Sequence, residues 1–475
     1  MTTVAFQTLG CKLNQYETDS IAAQFQQAGY TIVPFDQSAQ VYIINTCTVT
    51  NKADRKSRNV INRALRQSSK SLVALPVIGT PEHSVEPDDS PSVVDPPSGT
   101  DNSLVVVTGC FANSSKEELE KDGRTLVVEN EYKTHIFELV DAHLKGEILS
   151  PSDFAKDVFT FTPQEQVFHT RGMIKIQDGC DNFCTFCIIP YVRGKAVSRP
   201  LPHILSEAQT LISQGYKELV LTGVNMSRYD WEGKRFSHVL EALLALETQE
   251  NQNFRVRISS IEPDQIDERF FQLMNHPRMC PHLHLCLQSG SERILLAMRR
   301  QYTYGLYRSI AQRLRNANPK FNITTDIILG FPGEQEQEFD ETLHAVEELQ
   351  FGHVHIFPYS KRKGTRAERF PNHVNDQEKS SRSTKLSAIS EESKRAYRSS
   401  LIGTTQQVLI EKVEVRGEKL VVRGLGEYYV PVRFYLPRTR NQESVRNQFF
   451  PVKILGLAPG ADPDLVGEVD LDTLD

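Results

Sequence analysis

The sequence predicts an α/β protein of three modules: an N-terminal parallel-sheet α/β domain, a central partial (β/α)6 barrel and a small C-terminal β domain. Three observations predict this. Short apolar runs alternate with helical stretches over residues 1–145 and again over 166–400, the pattern of parallel sheets covered by helices. The second series repeats the alternation six times, which fits a partial barrel better than an open sheet. Residues 401–470 carry strand patterns alone. A length of 475 residues accommodates about three domains, and 39% hydrophobic with 24% charged residues excludes fibrous and wholly disordered classes.

In the first module TVAFQTL (3–9), VYIINT (41–46), LVVVTG (104–109) and LVVE (126–129) read as strands, because β-branched and apolar residues run together between turn residues. Helical periodicity covers 14–28, a basic stretch at 51–67, a short piece at 115–121 and the amphipathic EYKTHIFELVDAHLK. Residues 145–165 read as a linker. The barrel strands are MIKIQ (173–177), ELVLTG (218–223), RVRIS (255–259), HLHLCL (282–287), ITTDIIL (323–329) and HVHIFPY (353–359), followed by a long polar helix at 376–400. TTQQVLIEKV, EKLVVRGL, EYYVPVRFYL and FFPVKILGL make the last module.

Residues 71–102 hold six prolines and six acidic residues with no Lys or Arg, so they read as a disordered insertion between a helix and a strand. Those six acids equal the net charge of −6, leaving the rest neutral. Residues 51–70 carry seven basic residues against one acid, Asp54, which fits either a solvated helix face or a polyanion site. No basic-then-apolar leader opens MTTVAFQTLGCKLNQYE, and no apolar run approaches about 18 residues. Membrane spanning is not expected, and the expected location is cytoplasmic.

Eight cysteines in so long a chain do not read as a disulfide framework. Cys11, Cys47 and Cys110 each close a predicted strand, and ligands of such sheets bind beyond the carboxyl ends of the strands, so three thiols distant in sequence can converge. The alternative is three unrelated buried cysteines. Cys180, Cys184 and Cys187 follow MIKIQ in a CxxxCxxC loop. Structural zinc wants four ligands, commonly in two pairs, and no second pair is near. Three thiolates on one loop suit a four-iron cluster with one iron left open for chemistry.

CxxxCxxC on the first strand of a partial barrel resembles the radical S-adenosylmethionine enzymes. With three strand-end cysteines before it and a small β domain after it, nearly the whole chain outside 71–102 resembles the methylthiotransferase family. TLGCKLNQYETDS and NTCTVTNKADRKSR are similar to the branch that methylthiolates threonylcarbamoyladenosine at position 37 of tRNA; other branches act on isopentenyladenosine or on a ribosomal-protein aspartate. A noncatalytic iron-sulfur RNA-binding protein is the alternative of a different class. The resemblance implies two [4Fe-4S] clusters, with Cys180, Cys184 and Cys187 holding the radical-generating one and Cys11, Cys47 and Cys110 the auxiliary one. It implies that one S-adenosylmethionine methylates sulfur at the auxiliary cluster and a second yields a deoxyadenosyl radical that activates carbon 2 of the adenine. Hard radical steps of this kind belong to cofactors. The implied partners are the tRNA anticodon loop and a flavodoxin- or ferredoxin-like electron donor, with the chain a monomer.

Gly223 and Asn225 in LTGVN, Glu262 in SSIEP, Gln288 in LQSG and Asp326 in TTDIILGFPGE resemble the family's cofactor contacts, with a structural hydrogen bond the alternative for each. Arg193 in YVRG reads as a salt bridge or as a contact to the cofactor or to nucleic acid. Cys286 stands where relatives commonly have proline; it and Cys280 read as buried strand cysteines rather than a further metal site, and the pairs His282/His284 and His353/His355 as packed, hydrogen-bonded residues rather than ligand pairs. The last module resembles the TRAM domain, an RNA-binding β-barrel. Its Arg423, Tyr428, Tyr429, Arg433, Phe434, Tyr435, Arg438 and Arg440 interleave rings and charges suited to RNA, although alternation turns about half inward. Lys361, Arg362, Lys363 and Arg366 extend the same surface in this reading.

Overall fold

The structure is a computed structural model that describes residues 2–70, 103–121, 123–161, 170–247, 253–438, 442–460 and 462–470. The expected insertion at 71–102 lies outside the described residues.

Five parallel strands form the first sheet, in the spatial order Thr31–Val33, Thr3–Thr8, Val41–Thr46, Leu104–Gly109, Thr125–Val128. Strand alternation sends Val4, Ile43, Val106 and Val128 to one face against the helices Lys12–Gln27 and Ile136–Leu144, and Ala5, Ile44, Val105 and Val107 to the other against the helix Asn51–Lys70. The first face also packs on Met173 and Val220 of the barrel. Part of the expected linker joins this core: Phe161 is buried and meets the Tyr16 ring edge-on at 5.6 Å.

The barrel strands Arg255–Ile258, Glu218–Thr222 and Gly172–Lys175 form one parallel sheet, and Ser260–Ile261, His282–Leu285, Asn322–Leu329 and His353–Pro358 another. A break at Ser259 separates two segments of one strand, so the chain runs through six consecutive parallel positions. Helices such as Leu201–Ser213, Phe236–Leu244 and Tyr304–Ala317 bury their apolar sides against it in the largest core of the molecule. The helix Asp376–Ser400 leads to a closed barrel of strands Thr405–Arg416, Lys419–Leu425, Pro431–Pro437, Leu465–Val469 and Phe449–Leu457. Besides the two-residue strands Val197–Ser198, Asp230–Trp231 and Lys234–Arg235, two strands escape the sequence reading, Thr31–Val33 and Leu465–Val469. EYYVPVRFYL is strand only from Pro431, because Tyr429 adopts a positive φ of 62° in the turn before it.

Candidate active site

Cys11, Cys47 and Cys110 follow the carboxyl ends of three adjacent strands, at the point where the strand order reverses, which is where open α/β sheets place ligands. Their loops abut. A Cβ added at Gly10, whose φ is +100°, would lie 2.8 Å from Cys47 Cβ and 3.0 Å from its Sγ. The Asn14 Nδ2 donates to the carbonyls of Leu9 (2.8 Å) and Thr46 (3.0 Å), tying two of the loops. Burial pushes the Cys47 thiol up to about 11, and the neighbouring Cys110 and Cys11 add to it. Burial also raises the Cys11 thiol, so ionising either of these two thiols needs a cation beside it.

The CxxxCxxC loop is equally constrained. A Cβ on Gly179 would stand 1.9 Å from the Lys195 carbonyl oxygen, so only glycine, at φ +69°, leads into Cys180 here. The Cys180 N–H donates to Gly194 O (3.1 Å) and the Cys187 N–H to Cys184 O (3.0 Å). Thr185 pins the loop to the barrel, donating to the carbonyls of Met298 and Ala297 and accepting from the Ala367 N–H. Two donors reach the sulfurs: Arg300 Nη1 to Cys184 Sγ at 3.2 Å and Asn225 Nδ2 to Cys180 Sγ at 3.8 Å. Burial, then the Cys184 and Cys180 thiols, push Cys187 up to about 12.

A buried ion cluster joins the two cysteine triads. Arg193, just beyond Cys187 and 2% exposed, pairs with Glu17 at 3.1 Å and Asp178 at 3.0 Å, and its other Nη donates to Asn14 Oδ1 at 2.7 Å. Lys133 and Lys175 also hold Glu17, at 2.5 and 3.0 Å, and Lys175 reaches Asp178 at 2.6 Å. Burial works against the Glu17 charge, but Arg193, Lys133 and Lys175 hold its carboxyl well below the usual range. Burial, opposed by Glu17, lowers Lys133, and Arg193 is the cation set beside Cys11, where it opposes the burial that raises that thiol. Arg193 is thus a salt bridge, one of the readings its position in YVRG allowed.

The other expected cofactor contacts are placed as follows. The Gln177 side chain accepts from the Asn225 N–H (2.7 Å) and donates to the carbonyls of Asp178 and Gly179 (2.8 Å each), locking the LTGVN turn onto the cysteine loop. Gly223 has no room for a side chain, since a Cβ would come within 2.9 Å of Met226 Cγ and 3.1 Å of Gln177 O. Glu262 pairs with Arg300, the residue that donates to Cys184. Gln288, at φ +72°, bridges with its backbone, its N–H donating to Asp326 O and its carbonyl accepting from the Ile328 N–H. Asp326 Oδ1 lies 3.2 Å from His284 Nε2. Arg300, Gln177, Asn14 and Glu17 carried no motif of their own; only the position of Asn14 and Glu17 one turn apart on the helix after Cys11 marks them in hindsight.

Of the two histidine pairs, His282 and His284 pack and hydrogen bond as expected, the Thr324 hydroxyl meeting His282 Nε2 at 3.3 Å and His284 Nδ1 at 3.0 Å, whereas His353 and His355 only pack, edge-on with ring centroids 4.4 Å apart. The strand register also gathers ligating atoms of the half-buried His284 and Asp326 and the exposed His355 within 4.8 Å of one another on the inner face of the barrel strands. Cys280 and Cys286 are buried at opposite ends of the strand His282–Leu285.

The recognition surface needs correction. Phe434 is fully buried in the C-terminal core, because it occupies an inward position of its strand. Tyr429 leaves its own module and closes the floor of the central barrel, its ring tilted 32° to that of His282 at 4.6 Å and covered by Arg257 at 4.8 Å. Arg255 and Arg257, both bound to Glu218, donate to the carbonyls of Gln407, Leu425, Gly426 and Glu427 and so dock the module. Arg362 is buried too, pairing with Asp54 at 2.7 Å and donating to Thr48 and Asn51. Exposed on the outer barrel face are Lys419, Arg423 and Tyr435, and Lys361, Lys363 and Arg366 sit beside the exposed Lys52, Arg55 and Lys56, where Ser360 accepts from the Asn51 N–H. Arg440 lies outside the described residues.

Residues 174–346 match the model of the radical SAM superfamily and residues 3–82 that of the uncharacterised protein family UPF0004. The chain is 36% identical, over 96% of its length and 94% of the relative's, to the threonylcarbamoyladenosine tRNA methylthiotransferase MtaB of Bacillus subtilis (strain 168). It is 34% identical to the enzyme of that name from Thermotoga maritima, over 94% of each chain. Among solved structures it resembles the radical S-adenosylmethionine methyltransferase TsrM of Kitasatospora setae, with a TM-score of 0.52 at 13% identity over 75% of this chain and 73% of that one, a likeness of fold. Identity at this level along almost the entire chain, with both triads in their expected frames, means that the chain belongs to the radical SAM methylthiotransferase family.

Proposed function

We propose that the protein is a tRNA methylthiotransferase that attaches a methylthio group to carbon 2 of threonylcarbamoyladenosine 37. The observation that carries this reading is the buried Arg193–Glu17–Asn14 connection, which ties the segment just beyond Cys187 to the helix that follows Cys11. Cys180, Cys184 and Cys187 would hold one four-iron cluster and Cys11, Cys47 and Cys110 the other. The donor sets fit: three thiols on each set of loops with no fourth ligand beside them among the described residues, two N–H groups on sulfur in one triad, and the Arg193 guanidinium beside Cys11 in the other. When bound, the clusters and S-adenosylmethionine supply the radical and sulfur-transfer chemistry.

The chain's own residues bind and align. Arg300 would lower the charge on Cys184 while Glu262 holds its guanidinium; Gln177 fixes the LTGVN turn. The basic rim of Lys52, Arg55, Lys56, Lys361 and Lys363 would neutralise anticodon-loop phosphates, and Tyr435 between Lys419 and Arg423 would stack on an exposed base. Electrons would come from a flavodoxin- or ferredoxin-like donor.

Mass spectrometry of tRNA nucleosides from a strain lacking the gene tests this. The 2-methylthio form of threonylcarbamoyladenosine is expected to vanish and to return with the wild type and not with Cys184→Ala. Loss of methylthiolated isopentenyladenosine in its place would overturn the substrate.

A further inference from the structure

The interior of the central barrel holds a polar group that neither cysteine triad uses. Lys12 follows Cys11 and reaches inward from the first module, its Nζ 5.0 Å above the Tyr429 ring. It is half-buried and forms no ion pair among the described residues. Burial and then nearby charges, Lys12 among them, keep His282 and His355 below the usual imidazole range, so both are neutral at physiological pH. His284 is already engaged on both nitrogens, by Thr324 and by Asp326. His355 makes no hydrogen bond among the described residues, although its ring lies 5.5 Å from that of His284 and 4.4 Å from that of His353. The interior therefore offers a free ammonium, a free imidazole N–H and the second oxygen of Asp326.

A half-buried cation without a carboxylate partner is costly, and the cost is recovered when an anion binds. We infer that Lys12 and His355 form a subsite for the carboxylate carried by the threonylcarbamoyl substituent of the substrate, with Asp326, oriented by His284, accepting from its hydroxyl. Two donors and one acceptor match a substituent that presents one carboxylate and one hydroxyl. An isopentenyl substituent would leave all three unpaired, and sites of this kind reject analogues lacking the polar group. His284, Asp326 and His355 are also spaced to hold a divalent cation, but the unpaired Lys12 beside them opposes one, and His284 Nε2 already faces Asp326.

The inference rests on the function proposed above, and binding separates the two. Anticodon stem–loop RNAs bearing threonylcarbamoyladenosine, isopentenyladenosine or plain adenosine at position 37 are titrated against reconstituted holoenzyme, with iron content and S-adenosylmethionine cleavage measured in parallel. The wild type is expected to prefer the first by about tenfold to a hundredfold, the range for hydrogen bonds to a charged group. Lys12→Met and His355→Ala should each lose most of that preference while binding of the plain RNA and iron content stay the same, and Lys12→Arg should keep it. An unchanged preference in both variants overturns the subsite while leaving the proposed function intact. So does a stoichiometric non-cluster divalent ion that disappears with His355→Ala. A wild type without the preference that methylthiolates the isopentenyl RNA overturns both.

Discussion

At the scale of single residues, the site is held by groups that the cysteine motif does not announce. Glu17 and Arg193 come from different modules, and no periodicity relates them; each is legible only as a charged residue near a cysteine. Their burial makes them consequential, since removing one partner leaves an uncompensated charge in a medium that solvates it poorly. Arg193→Ala is expected to lower unfolding free energy by about 3–5 kcal/mol and to reduce iron retention, with Arg193→Lys failing to restore the hydrogen bonds to Glu17, Asp178 and Asn14 together. Chemical denaturation and iron analysis of the same preparations check this. Glu218 gives a pH signature. Burial disfavours its charge, yet Arg257 and Arg255 hold its carboxyl well below the usual range. A depressed native value means the stabilisation is complete above the unfolded value of about 4.3 and is lost as pH falls below it towards the native one. Glu218→Gln should therefore be less stable than wild type at neutral pH, with the gap narrowing as the pH is taken down through that window in denaturant titrations.

At the scale of elements, alternation and helical periodicity made most strands and helices legible, and all three strand-end cysteines with them. Thr31–Val33 escaped because three residues are too few to show a period, and Leu465–Val469 because Gly467 interrupts its apolar pattern. Alternation also could not say which rings of the last module face outward: Tyr435 is 51% exposed, whereas Phe434 is buried. The basic helix Asn51–Lys70 keeps Lys52, Arg55 and Lys56 in solvent, while its Asp54 is spent on Arg362. Reversing Lys52, Arg55 and Lys56 to Glu should weaken tRNA binding at every sequence and flatten its salt dependence, by about 0.7–0.9 in log–log slope for each phosphate that is no longer neutralised. Binding titrations at several salt concentrations measure it. A weakening confined to one tRNA, with the slope unchanged, would remove the helix from the phosphate path.

For the whole molecule, the sequence divided the chain by pattern, but the packing runs across those divisions. Phe161, in the expected linker, is part of the first core, and the first sheet shares its apolar face with Met173 and Val220 of the barrel. The segment 71–102 leaves from the helix ending at Lys70 and returns to the strand beginning at Leu104, at the far end of these strands from the cysteines. Lengthening such a connection costs little, as closure entropy grows slowly. Its deletion is expected to leave methylthiolation within about twofold of wild type in nucleoside assays.

Tyr429 has a consequence for how such chains can be recombined. The last module resembles a cassette, yet its turn supplies the floor of another module's interior, and Arg255, Arg257 and Asn322 grip that turn by its carbonyls. A transplanted cassette from a distant relative would have to bring a ring of the same reach and the same backbone turn. Without them the interior would open to water from below. Inheritance of the last module and of the central barrel is therefore coupled, and the two are expected to diverge together rather than trade partners.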